Sequence, residues 1–120
     1  GSEMYVANYN VMGVAKAALE SSMRFLAMDM GKNGVRVNCL SAGPIKTLAA
    51  SGISGFSNML KAISLKSPLN RNTTLDDVGN AGLFLASPLS SGTTGEVLYC
   101  DCGCHKVHAS LREIEAMNAQ

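Results

Sequence analysis

The 120-residue sequence predicts an α/β fold on three observations: a long proline-free run of helix formers, two short strand-forming runs each preceded by a glycine turn, and a capped helix between them. The order helix, strand, helix, helix, strand, with parallel crossovers, describes part of a layered parallel sheet. Hydrophobic residues make up 47% of the chain and charged residues 16%, a balance that allows a buried core.

Residues 8–30, NYNVMGVAKAALESSMRFLAMDM, are rich in Ala, Met and Leu and lead to Gly31, where a left-handed stop is expected. Val11, Val14, Ala15, Ala18, Leu19, Ser22, Leu26 and Met30 recur at helical spacing, which predicts one buried face. After a Lys-Asn-Gly turn, residues 35–40 (VRVNCL) read as a strand, and Ser-Ala-Gly-Pro follows as a loop. A second helix is expected over residues 48–63, with weak first turns because of Gly52 and Gly55. Thr74 followed by Asp76 and Asp77 marks a third helix start, its acids near the positive end of the dipole, and Ser87-Pro88 marks its stop. Residues 96–100 (EVLYC) read as a last strand, and the chain from His105 onward reads as a polar tail without a defined element.

Two strands are too few for a stable sheet of this class, and no internal repeat supplies more. A Gly-x-Gly-x-x-Gly turn is also missing: Gly31-x-x-Gly34, Gly52-x-x-Gly55, Gly79-x-x-Gly82 and Gly92-x-x-Gly95 all lack the first glycine pair. The expectation is therefore the second half of a larger dinucleotide-binding domain over residues 1–104, its amino-terminal strands missing, followed by a tail over residues 105–120. Such a piece is expected to fold poorly and to be inactive by itself.

Ten Lys and Arg are scattered singly against nine acids, which argues against nucleic acid as a partner. No run approaches the roughly 18 apolar residues of a membrane span, and the amino terminus lacks the pattern of a signal peptide. Both point to the cytoplasm rather than a membrane. In that compartment Cys39, Cys100, Cys102 and Cys104 read as free thiols, and the glycosylation pattern at Asn72-Thr73-Thr74 carries no weight.

Tyr9 and Lys16 are seven residues apart on the first helix, so they project from one face roughly 10 Å apart along the axis. A phenol can donate a hydrogen bond to a developing oxyanion, and a nearby ammonium both favours that role and binds ribose hydroxyls. Spacing alone fits equally a core-capping tyrosine and a solvated lysine.

The neighbouring residues decide between these readings. At Asn8-Tyr9-Asn10-Val11-Met12-Gly13-Val14-Ala15-Lys16, Val35-Arg36-Val37-Asn38 and Ser41-Ala42-Gly43-Pro44-Ile45-Lys46-Thr47-Leu48-Ala49-Ala50-Ser51-Gly52-Ile53, the chain closely resembles bacterial enoyl-acyl-carrier-protein reductases, the divergent branch of the short-chain dehydrogenase/reductases. The resemblance continues through Asp77-Val78-Gly79-Asn80 and Ser91-Gly92-Thr93-Thr94-Gly95-Glu96-Val97 to about Gly103. Ordinary members of that superfamily place the tyrosine four residues before the lysine, here Met12, and write Pro-Gly where this chain has Gly43-Pro44. Both departures select the enoyl-reductase branch.

This resemblance implies a Rossmann-like doubly wound parallel sheet and hydride transfer from NADH, with NADPH left open, to the β-carbon of an enoyl thioester on acyl carrier protein in type II fatty-acid synthesis. It implies that Tyr9 stabilises the enolate, that Lys16 holds the nicotinamide ribose, and that Ile45, Lys46, Thr47, Leu48 and Ala49 wrap the nicotinamide amide and pyrophosphate. Met12, Ala49, Ala50, Ile53, Phe56 and Met59 match the wall and mobile lid of the acyl slot, although a plain amphipathic helix explains Ile53, Phe56 and Met59 equally well. Relatives are usually homotetramers, and no metal is implied.

The resemblance fails at two places. A second family tyrosine falls before Gly1, and Tyr5 is not its counterpart. Cys100-Asp101-Cys102-Gly103-Cys104 departs from the family pattern; in an extended strand its three sulfurs would face one side, with His105 and His108 nearby. A metal-binding or redox-sensing tail is the rival this suggests, disfavoured because zinc sites use Cys-x-x-Cys loops. A noncatalytic relative that keeps the fold is the other.

Overall fold

The computed structural model of the protein describes residues 1–6, 9–47 and 55–119. The elements are α1 (Asn10–Gly31), β1 (Cys39–Ala42), α2 (Phe56–Lys66), α3 (Leu75–Ala86), a 3-10 turn at Pro88–Ser90, β2 (Val97–Cys100), a second 3-10 turn at Cys104–Lys106 and α4 (Leu111–Asn118). The strands pair as a two-stranded parallel sheet. The chain forms two compact units, Gly1–Leu40 with Phe84–Leu98 and Ser41–Leu83 with Tyr99–Gln120.

In the first unit the expected long helix is present and Gly31 is its last residue, but the left-handed stop expected there is not. Asn33 N–H bonds Met30 O and Gly34 N–H bonds Gly31 O, both at 2.9 Å, which carries the turn onward. The left-handed glycine is therefore Gly34, at φ 72°. The first strand also starts later than residue 35. Val37 N–H bonds the Thr94 hydroxyl (3.1 Å) and Val37 O accepts from Gly95 N–H (2.8 Å), so side chains and a loop take the backbone groups that a ladder would use. Regular pairing begins only where Cys39 N–H reaches Glu96 O at 2.9 Å.

The face of α1 that burial was expected to cover is instead open. Val11, Val14, Leu19 and Leu26 are 77%, 72%, 54% and 49% exposed, whereas Met23 and Ala27 are buried. Burial needs a partner surface, and the one at hand is narrow: a Cβ placed on Gly95 would lie 3.7 Å from the Ala27 methyl. Arg36 holds this unit together from its polar side. Its guanidinium donates to Leu85 O (2.8 Å), Ser90 Oγ (2.8 Å), Ser87 O (3.2 Å) and Thr93 O (3.3 Å), tying the segment before β1 to the carboxyl end of α3 and the turn after it.

In the second unit, α2 starts at Phe56, after a left-handed Gly55 (φ 77°), and runs three residues beyond the expected end at residue 63; residues 48–54, the rest of the expected helix, lie outside the described residues. The third helix starts as expected. Thr74 Oγ1 accepts from Asp77 N–H (3.1 Å) and Asp77 Oδ2 accepts from Thr74 N–H (2.8 Å), a reciprocal capping box. Ser87-Pro88 ends it, in the first unit, and opens the 3-10 turn. The tail is a correction: residues 111–118 form α4, with Ser110 and Glu113 as a second capping box, which the polar composition concealed.

Candidate active site

Tyr9, Met12 and Lys16 all fall in the first unit, at and after the start of α1. Met12 and Lys16, four residues apart, share one face of α1, whereas Tyr9 stands before the helix and is joined to it through Asn10 at φ 41°, so the helical repeat does not set the direction of its ring. Tyr9 is the residue before the first helical turn; its N–H bonds Val6 O (3.1 Å) and its C=O accepts from Met12 N–H (3.0 Å). The amino-terminal stretch closes on its ring. A Cβ on Gly1 would stand 2.4 Å from the ring carbons Cδ1 and Cε1, and one on Gly13 would stand 2.8 Å from Gly1 O, so both positions depend on glycine for that closeness. An open cleft of ≈ 320 Å³ runs here beside Tyr5, Tyr9, Asn10 and Gly13. Tyr9 is half-buried and Lys16 is exposed.

Ile45, Lys46 and Thr47 fall in the second unit, directly after β1. Nucleotides bind in parallel sheets beyond the carboxyl ends of the strands, and this segment occupies that place in the chain. Gly43 lets the strand end pass tightly: a Cβ there would meet Thr73 Oγ1 at 2.6 Å and the Asp101 Cα at 3.1 Å. Ile45 and Lys46 line an open cleft of ≈ 390 Å³ with Thr73, Thr74, Leu75 and Asp76. These features fit a nicotinamide dinucleotide, whose carboxamide needs a backbone donor and acceptor and whose pyrophosphate needs hydroxyls or cations. Phe56, half-buried, and Met59, 42% exposed, stand one turn apart at the start of α2. Leu48, Ala49, Ala50 and Ile53 lie outside the described residues.

The second unit also holds groups that the spacing rules did not single out. Asp101 accepts from Gly103 N–H (3.0 Å) and His105 N–H (2.9 Å), and both of its oxygens face His105 Nδ1 at 3.0 and 2.9 Å. The Tyr99 ring stacks on His105 with centroids 3.9 Å apart. Cys102 (φ 56°) and Gly103 (φ 81°) are both left-handed, so the three cysteines do not share the face of an extended strand. Asp101-x-Gly103 carries the signal for such a turn directly after the strand expected over residues 96–100. Among the described residues no three His, Cys, Asp or Glu side chains are grouped to hold a metal. Burial pushes the thiols of Cys100 and Cys104 up from their ordinary range. The Arg71 guanidinium, with the backbone and hydroxyl of Thr74, holds the Asp77 carboxyl far below the usual carboxylate range. Among the described residues no helix is long and apolar enough to cross a membrane.

Comparison with known proteins places this arrangement in a class. The sequence profile described as enoyl-(acyl carrier protein) reductase matches residues 1–105, and the chain belongs to that family. It is 61% identical over 103 residues to the NADH enoyl-acyl-carrier-protein reductase FabI of Rickettsia conorii, covering 86% of this chain and 40% of that protein. FabI of Bacillus subtilis is 53% identical over 105 residues, 88% of this chain and 41% of that one. Among solved structures, the Anaplasma phagocytophilum reductase in complex with NAD matches with a TM-score of 0.85 at 57% identity, covering 91% of this chain and 42% of that one. The Bacillus cereus reductase with NADP+ and an indole naphthyridinone gives 0.85 at 49% identity, covering 90% and 42%. The chain therefore spans about 40% of the length of the relatives it matches.

Proposed function

We propose that this chain supplies the carboxyl-terminal part of an NADH-dependent enoyl-acyl-carrier-protein reductase, acting in the cytoplasm as a homotetramer on enoyl thioesters carried by acyl carrier protein. The observation that carries the reading is the family profile over residues 1–105, supported by Tyr9 directly before α1 and Met12 and Lys16 on one face of it.

The Tyr9 hydroxyl donates a hydrogen bond to the thioester oxygen as it gains enolate charge, an interaction that strengthens toward the transition state. The Lys16 ammonium holds the ribose hydroxyls as a charged donor. Ile45 offers its backbone N–H and C=O to the carboxamide, while Lys46, Thr47, Leu48 and Ala49 are assigned to the pyrophosphate side, for which Thr47 has a hydroxyl to donate. Reduced nicotinamide, when bound, supplies the hydride for the enoyl β-carbon. On the resemblance to the family, Met12, Ala49, Ala50, Ile53, Phe56 and Met59 are assigned to acyl-chain recognition, each as an apolar contact for the chain.

Tyr9→Phe in the complete protein tests this reading: kcat on an enoyl thioester should fall about 10²-fold, the usual cost of losing one oxyanion donor, with KM for NADH unchanged. Unaltered turnover would remove Tyr9 from the chemistry.

A further inference from the structure

The family profile ends at residue 105, yet the chain beyond it folds into α4 and engages α2, the helix that carries Phe56 and Met59. From these contacts we infer that Ser110 and Arg112 are positioning residues for the acyl-chain wall, a reading that rests on the reductase function proposed above.

A helix leaves its last carbonyls without partners inside the helix. At the carboxyl end of α2, Leu65 O accepts from the Ser110 hydroxyl at 2.9 Å, and Ser67 O accepts from Arg112 Nη2 at 2.8 Å. Ser67 is fully buried and its own hydroxyl donates to Cys102 O at 2.8 Å. This end of α2 is therefore held from three directions, two of them supplied by the tail. The other end begins at left-handed Gly55 without a side-chain cap. Fixing one end of an 11-residue helix fixes the direction of its axis, and with it where Phe56 and Met59 stand. Tail and helix also share an open groove lined by Lys61, Ala62 and Leu65 of α2 and by Glu113, Ala116 and Met117 of α4.

Ser110 has two separable roles. Its oxygen accepts from Glu113 N–H at 3.2 Å as the cap of α4, while its proton goes to α2. Aspartate keeps the first role, since it is a good cap, and cannot perform the second because its carboxylate has no proton to donate. Ser110→Asp therefore removes the clasp and spares α4, Ser110→Thr keeps both, and Arg112→Met removes the second donor while retaining an apolar stem.

The test uses the complete protein with enoyl thioesters of short and long acyl chains. Ser110→Asp and Arg112→Met should each raise KM for the long substrate roughly threefold to tenfold, the equivalent of one net hydrogen bond, with kcat and KM for NADH near the unaltered values and KM for the short substrate less affected. Amide exchange at residues 63–67 should quicken in both, and Ser110→Thr should match the unaltered protein in every readout. Equal KM at both chain lengths in all variants, with unchanged exchange, overturns the inference alone. If the unaltered protein turns over no enoyl thioester, the reductase reading falls and this inference with it.

Discussion

Replacing Arg36 by Met should destabilise the protein by about 2–3 kcal/mol, a figure set by what its acceptors have left when the guanidinium is gone. Arg36 donates four hydrogen bonds, two at 2.8 Å and two at 3.2–3.3 Å. If each acceptor were stranded, the sum of desolvation penalties would exceed about 5 kcal/mol. At most one is stranded. The Ser90 hydroxyl lies 3.0 and 3.2 Å from Leu85 O and Ser87 O and has one proton to share between them, while Thr93 O accepts from the Asn38 amide at 3.0 Å. What is lost is the charge-assisted gain of two short bonds, reduced because Arg36 is only half-buried. Lysine, a point donor without the planar fork, can replace one of those bonds and should recover about half the loss. Urea unfolding of the complete protein measures it, with a lowered midpoint at unchanged slope. A loss below about 0.5 kcal/mol, or Lys equal to Arg, would refute the claim that the fork geometry fastens the end of α3.

Lys16→Met should weaken NADH binding about 10- to 100-fold, the loss of one charge-assisted hydrogen bond; fluorescence titration measures it, and an unchanged Kd returns Lys16 to a solvated charge. The Asp77 carboxyl titrates below its ordinary value of 3.8 in the folded chain, so its stabilisation is present above that value and is lost as pH falls toward the lower folded one. Asp77→Asn should therefore be less stable than the unaltered protein near neutrality, with the difference shrinking on acidification below pH 3.8; a difference that is constant with pH contradicts the assignment. Cys104 is 8% exposed and its thiol is raised by burial, so alkylation at pH 8 should be at least ~10-fold slower in the native protein than in denaturant. Peptide mapping of the modified chain reads this directly, and equal rates would mean that the site is open.

The sequence by itself determined the elements whose causes are local. The composition of residues 8–30 specifies a helix, Thr74 and Asp77 write the capping box into four consecutive positions, and Ser87-Pro88 writes its end. Met12 and Lys16 share a face because the helical repeat places them there, but Tyr9 precedes the helix with Asn10 at φ 41° between, so its direction is not set by that repeat. What only the tertiary structure decided are outcomes that require a second segment. The buried face of α1 is that of Met23 and Ala27, beside which Gly95 lies 68 positions away in the chain, and not the face on which its apolar residues recur. The first strand begins at Cys39 rather than at residue 35 because Thr94 and Gly95 occupy the backbone groups of Val37. The tail became α4 partly through its own cap and partly through carbonyls that α2 leaves unpaired, at Leu65 and Ser67. Periodicity reports how a segment can fold, but burial and hydrogen-bond partnership are properties of pairs of segments, and the second member of each pair is fixed only when the chain has closed on itself.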